Sequence, residues 1–147
     1  MVVEPDQDLL GRNGFLRSLG RNDTAVLAPL LTVVFCRKGQ RIGLRGRSAD
    51  RVLFPISLVA SFGAPTGGCG FGLIGPEGII GWPTIIDQDY PAFESTVLFD
   101  GGVALAIPAS DMRRICLRSP TLAMALLGFA QSCTFQLGLL LDRKSVV

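Results

Sequence analysis

From Thr32 to Ile107 the apolar residues come in short runs separated by turn residues, whereas the two ends of the chain carry helical spacing. The runs predict strands at 32–37, 41–44, 51–55, 58–62, 71–74, 79–80, 93–99 and 103–107, in the manner of an all-β sandwich or barrel. Residues 93–99 alternate with period two, and Asp100-Gly101-Gly102 predicts a hairpin turn that returns the chain along 103–107. At the front, Asn13 is placed to cap a helix over 14–19. Asn22 or Asp23 can cap a second one ending at Leu30 or Leu31, with Ala25, Leu27, Leu30 and Leu31 on its apolar side. At the back, Ser110 or Asp111 can cap a helix ending at Leu117, and Ser119-Pro120 precedes a last helix over 121–141. The pattern predicts one domain with a helical preface (1–31), a β-rich body (32–108) and C-terminal helices (109–147), an α+β arrangement that is mainly β.

Two stretches stand out. Residues 67–84, GGCGFGLIGPEGIIGWPT, hold seven glycines and two prolines, yet the rest are mostly large and apolar. That combination predicts a tight, buried elbow, because glycine permits positive φ and close approach while Pro83 stiffens the exit. Its functional reading is an effector pocket lined by Glu77, Gly78, Ile80, Gly81, Trp82 and Thr84. The plainer reading is that the glycines only let the β-body close on itself. Trp82 either fills such a pocket from inside or offers a stacking face to an effector.

The second stretch, 121–141, has no charged residue and is long enough, at about 31 Å, to match a bilayer core. Gln131, Ser132, Thr134 and Gln136 near its middle argue against lipid. Two apolar stripes fit better: Leu126, Phe129, Cys133, Leu137 and Leu140 on one, and Ala123, Leu127, Ala130, Thr134 and Leu141 on the other. One stripe would pack on the β-body. The first is expected to form the interface of a homodimer, and no membrane partner is expected.

Composition narrows the chemistry. Histidine is absent, which removes the commonest general base and the usual partner of a nucleophilic Ser or Cys, so no enzymatic activity is expected. Cys36, Cys69, Cys116 and Cys133 are far apart and without a CxxC pair, so they are expected to be reduced thiols holding neither metal nor cofactor. The amino terminus has acidic residues and no signal-peptide core, so a cytoplasmic location is expected. Fourteen Lys and Arg against twelve Asp and Glu leave a net charge of +2, too small to argue for nucleic acid. The basic group from Arg37 to Arg51 reads as a solvated rim.

Several of these segments together resemble a known family. Asn13 with Leu16, Leu19 and Leu31, Lys38-Gly39, DRVLFP at 50–55, GLIGPEGIIGWP at 72–83, the strand 104–108 and Ser119-Pro120 before a long helix are similar to the cyclic-nucleotide-binding-like domain of Crp/Fnr-type transcription regulators. The resemblance implies a β-roll, jelly-roll-like, with a small-molecule effector at the elbow and dimerisation through the long helix. It also implies a helix-turn-helix after that helix, a module expected to be missing from this chain.

In the family a Gly-Glu pair and a later arginine hold the cyclic nucleotide. Here Trp82 stands where that glutamate would be, and no Lys or Arg occurs between Val52 and Met112. An anion would therefore rest on backbone N–H groups alone. The expected function is a non-catalytic sensory and dimerisation domain that does not bind cAMP.

Overall fold

The computed structural model describes residues 6–42, 50–63, 72–86 and 94–145, with side chains as far as Cys133. The chain opens with α1 (Gln7–Leu10), α2 (Gly14–Ser18) and α3 (Arg21–Leu27), followed by a 3-10 turn over Ala28–Leu30. The strands are β1 (Thr32–Cys36), β2 (Arg41–Ile42), β3 (Arg51–Pro55), β4 (Ala60–Phe62), β5 (Gly72–Ile74), β6 (Ser95–Thr96) and β7 (Gly102–Pro108). A one-turn helix, α4 (Pro83–Ile86), leaves the elbow, and α5 (Ala109–Arg118) and α6 (Pro120–Ser145) complete the chain.

β7 is the centre of a three-stranded sheet, antiparallel to β1 on one side and β3 on the other. Ala104, Leu105, Ala106 and Ile107 are all buried, so this strand is covered on both faces and reads as a continuous apolar run. The remaining strands form two short ladders, β2 with β6 and β4 with β5. Single bridges at Ala60–Val97 and Gly63–Glu94 set β4 beside the β6 segment, and another at Leu53–Ile80 sets the elbow beside β3. The described sheets are small and do not close.

The expected hairpin is overturned. The 103–107 strand pairs with β1 and β3, and the segment before the turn pairs with β2 and bridges β4. Gly101, at φ 78°, lies so close to Cys36 that a Cβ there would collide with the Cys36 carbonyl oxygen, and a Cβ on Gly102 would meet the Ser57 carbonyl. The two glycines thread a gap that admits no side chain and carry the chain from one sheet to the other. Phe99, expected inside a strand, sits in this turn at φ 57° and is exposed. Left-handed backbone is unfavourable for a bulky residue and tolerable for asparagine. Phe99→Asn is expected to raise stability by about 0.5–1 kcal/mol, seen as a higher urea midpoint at unchanged slope.

The helical layer is pinned by side chains that the sequence places well. Asn13 caps α2, its Oδ1 accepting from Leu16 N at 3.0 Å, as expected. The second cap differs. Gly20 precedes α3 without a side-chain cap bond, and Asp23 lies in the first turn. There it accepts from Ser119 Oγ and Thr121 Oγ1, both at 2.6 Å, while Ser119 Oγ also accepts from Leu122 N. Asp23 thus ties the preface to the start of α6. Phe15 stacks on Phe54 of β3 with ring centroids 6.0 Å apart, and Phe129 of α6 meets Phe15 edge-on at 6.3 Å.

Among the described residues no helix is long and apolar enough to cross a membrane. The inward face of α6 is Leu122, Leu126, Ala130 and Cys133, all buried in the core of the chain itself. The stripe expected to meet a second copy is therefore corrected at Leu126 and Cys133, and at Phe129, which packs on Phe15. The β-body claims that stripe first because it offers continuous apolar surface within the same chain. Leu137 and Leu140 lie beyond the described side chains. Met124 and Leu127 are the exposed apolar residues on the outward face of α6, and Gly128 there has open space where a Cβ would stand.

Candidate functional site

The elbow begins where β5 ends and turns at Gly75-Pro76-Glu77-Gly78. Gly78 N donates to Gly75 O at 3.0 Å, and Gly75 N donates to Glu77 Oε1 at 3.2 Å, so the glutamate closes its own turn. The preface holds this turn from behind. Gly14 N donates to Pro76 O at 2.7 Å, and buried Asn13 donates through Nδ2 to Pro55 O at 2.9 Å and Gly78 O at 3.0 Å. Ile80 then exchanges backbone bonds with Leu53, at 2.8 and 3.0 Å. This explains why Gly78 must lack a side chain. A Cβ there would stand 2.7 Å from Phe129 Cζ and 2.9 Å from Ile74 Cγ2.

Gly81, at φ 88°, turns the chain into α4. Thr84 Oγ1 donates to Gly81 O at 2.8 Å and is buried. Trp82 is buried too, its ring 5.6 Å from Phe62 and tilted onto it, and its indole N–H acts on the Cys133 thiol. Burial pushes that thiol up to about 11. The Trp82 N–H opposes the rise and the Glu77 charge adds to it. Burial likewise pushes the Cys116 thiol up to about 11, with Asp23 adding to it, and Cys36 is also raised by burial. These three described cysteines are unpaired. Cys69 and the position of the family's arginine near Ala92 or Phe93 lie outside the described residues.

The six elbow residues are thus brought together in two groups. Ile80, Trp82 and Thr84 face the core, where Trp82 is packing rather than an open stacking face. Glu77 is exposed and lines a cavity of about 320 Å³ with Leu73, Ile74, Phe129, Ser132 and Cys133, between the turn and α6. Gly78 forms the contact between that turn and α6, and Gly81 the bend. α6 supplies half of this cavity, which the elbow's own sequence could not reveal.

The sequence around the elbow is one-sided in charge. Between Val52 and Met112 the chain has Glu77, Asp87, Asp89, Glu94, Asp100 and Asp111 and no Lys or Arg. Arg113, the first cation beyond, is folded back to the elbow, but its Nη1 donates to Thr84 O at 2.7 Å. It closes α4 and is not among the residues lining the cavity. Sequence reading missed this role, because Arg113 is 29 residues from its acceptor.

No family model matches the sequence, and no curated protein matches it. Solved structures do match. A proposed cyclic nucleotide-binding protein from Geobacter metallireducens GS-15 superimposes with a TM-score of 0.71 at 14% identity, covering 89% of this chain and 96% of its own. The catabolite activator protein of Thermus thermophilus gives 0.66 at 17% identity over 90% of this chain, which spans 63% of that protein's length. The chain has the cyclic-nucleotide-binding fold. The sensor domain of the transcriptional regulator DNR from Pseudomonas aeruginosa also shares it, with a TM-score of 0.62 at 16% identity over 86% of this chain and 91% of that domain. In this chain the Gly78 turn meets Phe129 of α6, and Trp82 acts on the Cys133 thiol of the same helix.

Proposed function

We propose that this chain is a non-catalytic sensory domain of a transcription regulator, responding to a small effector other than a cyclic nucleotide and pairing with a second copy through the outward face of α6. The observation that carries the reading is the direct contact between elbow and long helix. Phe129 lies where any side chain on Gly78 would stand, and Trp82 acts on the Cys133 thiol one turn further along. A change at the elbow must therefore move α6 or be opposed by it. The fold shared with sensor and activator proteins supports the regulatory class by analogy, and DNA reading falls to a module other than this one. A cyclic phosphate is disfavoured because Trp82 replaces the acid partner, while Arg113 is held by the Thr84 carbonyl.

The pairing surface proposed is Met124, Leu127 and Gly128, exposed on α6. Light scattering on the native chain at tens of micromolar is expected to give a dimer, and Met124→Asp with Leu127→Asp a monomer with unchanged circular dichroism, since neither side chain is buried in the fold. A native monomer at that concentration removes the pairing. The sensory reading is tested separately, by emission from Trp82, the only tryptophan. Silence across a broad metabolite panel would count against it.

A further inference from the structure

The cavity between the elbow turn and α6 has a definite chemical character. Its walls are Leu73, Ile74 and Phe129, its polar groups are Ser132 and Cys133, and its one charged residue is Glu77. At about 320 Å³ it stands at the small end of ligand-sized cavities, roughly 300 Å³ upward. The Glu77 carboxylate is held in place by the bond from Gly75 N to Oε1, which leaves acceptor capacity on both oxygens. Its field reaches the cavity floor, where it raises the Cys133 thiol.

Among the described residues no cation lines the cavity. The stretch from Val52 to Met112 has six acids and no Lys or Arg, and Arg113 is committed to Thr84 O. An anion brought here meets the Glu77 charge, whereas a cation finds a fixed carboxylate and the Phe129 ring.

We propose that this cavity takes a small organic cation, an ammonium group on Glu77 with an apolar body against Leu73, Ile74 and Phe129. The inference rests on the sensory reading of the elbow and names its ligand class. Benzylammonium is the probe, with benzyl alcohol and benzoate as its neutral and anionic counterparts and cAMP as the fold's familiar anion. Binding to the full chain is measured by calorimetry and, separately, by Trp82 emission. Benzylammonium is expected to bind saturably at high-micromolar to millimolar concentration, benzyl alcohol more weakly, and benzoate and cAMP not at all. Glu77→Gln keeps the acceptor for Gly75 N, so it is expected to keep its melting temperature and to weaken benzylammonium about fivefold or more, the scale of one partly exposed ion pair.

Benzoate binding as tightly as benzylammonium overturns the proposal, as does unchanged affinity in Glu77→Gln or no benzylammonium binding at millimolar concentration. Binding of benzoate with a Trp82 response would reject the cation and leave the sensory reading standing, whereas binding of cAMP with that response would reject the cation and also the exclusion of a cyclic nucleotide. Glu77-dependent benzylammonium binding with no response in Trp82 or in oligomeric state would uphold the cation site and reject the sensory reading.

Discussion

Asn13→Ala is expected to lower the unfolding free energy by about 3–4 kcal/mol and the melting temperature by about 10 °C. One side chain here makes three bonds at a fully buried position: it caps α2 at Leu16 N and donates to the carbonyls of Pro55 and Gly78. Loss of the cap costs about 1 kcal/mol. Two buried carbonyl groups then lose a donor, at roughly 1–3 kcal/mol each, partly recovered if water enters. Asn13→Asp separates the roles, because it keeps the acceptor for Leu16 N but sets a carboxylate oxygen against two carbonyls. It is expected to be as damaging as alanine or more so. Urea denaturation of both variants decides the matter, and an aspartate variant close to the native protein would mean that the cap alone carries the stability.

The second large effect lies at the join of elbow and long helix. Gly78→Ala puts a methyl group 2.7 Å from Phe129 Cζ, 2.8 Å from Cε2 and 2.9 Å from Ile74 Cγ2, and such overpacking costs about 2 kcal/mol. Phe129→Ala removes the ring that meets Phe15 edge-on, at about 3 kcal/mol. The two changes relieve each other, since the alanine at 78 partly fills the space that the ring leaves. The double variant is therefore expected to fall short of the summed cost by about 1 kcal/mol or more. Strict additivity would show that the elbow does not bear on α6 and would undercut the sensory reading. For the same reason Phe129→Asp tests folding rather than pairing. Its first effect is a charge forced beside Phe15 and near Glu77.

Much of the architecture is legible from local pattern. The strands 51–55 and 103–107, the cap at Asn13, the elbow at 72–83 and the long last helix stand where their residues predict them. Each depends on the next few residues of the chain: turn chemistry, a cap three positions before its amide, a change of period. The misreadings share a cause. The expected hairpin failed because strand pairing is decided by the other strand, and β1 and β3 lie on either side of β7. The stripe on α6 was assigned to a partner because periodicity marks an apolar face without saying what covers it. Asp23 was read as a cap because the Ser119 and Thr121 hydroxyls lie 96 and 98 residues away.

By itself, then, the sequence determined that a β-rich body with helices at both ends would turn at a glycine elbow, and that the 61 residues from Val52 to Met112 would carry no cation. Those are properties of composition and near neighbours, unchanged by folding. Only the tertiary structure decided that Trp82 is core, that Arg113 returns to close α4, that Leu126 and Cys133 face inward, and that Glu77 shares a cavity with α6. Each of these joins groups tens of residues apart. Such contacts form where packing the whole chain leaves room for them, which no window on the sequence can see.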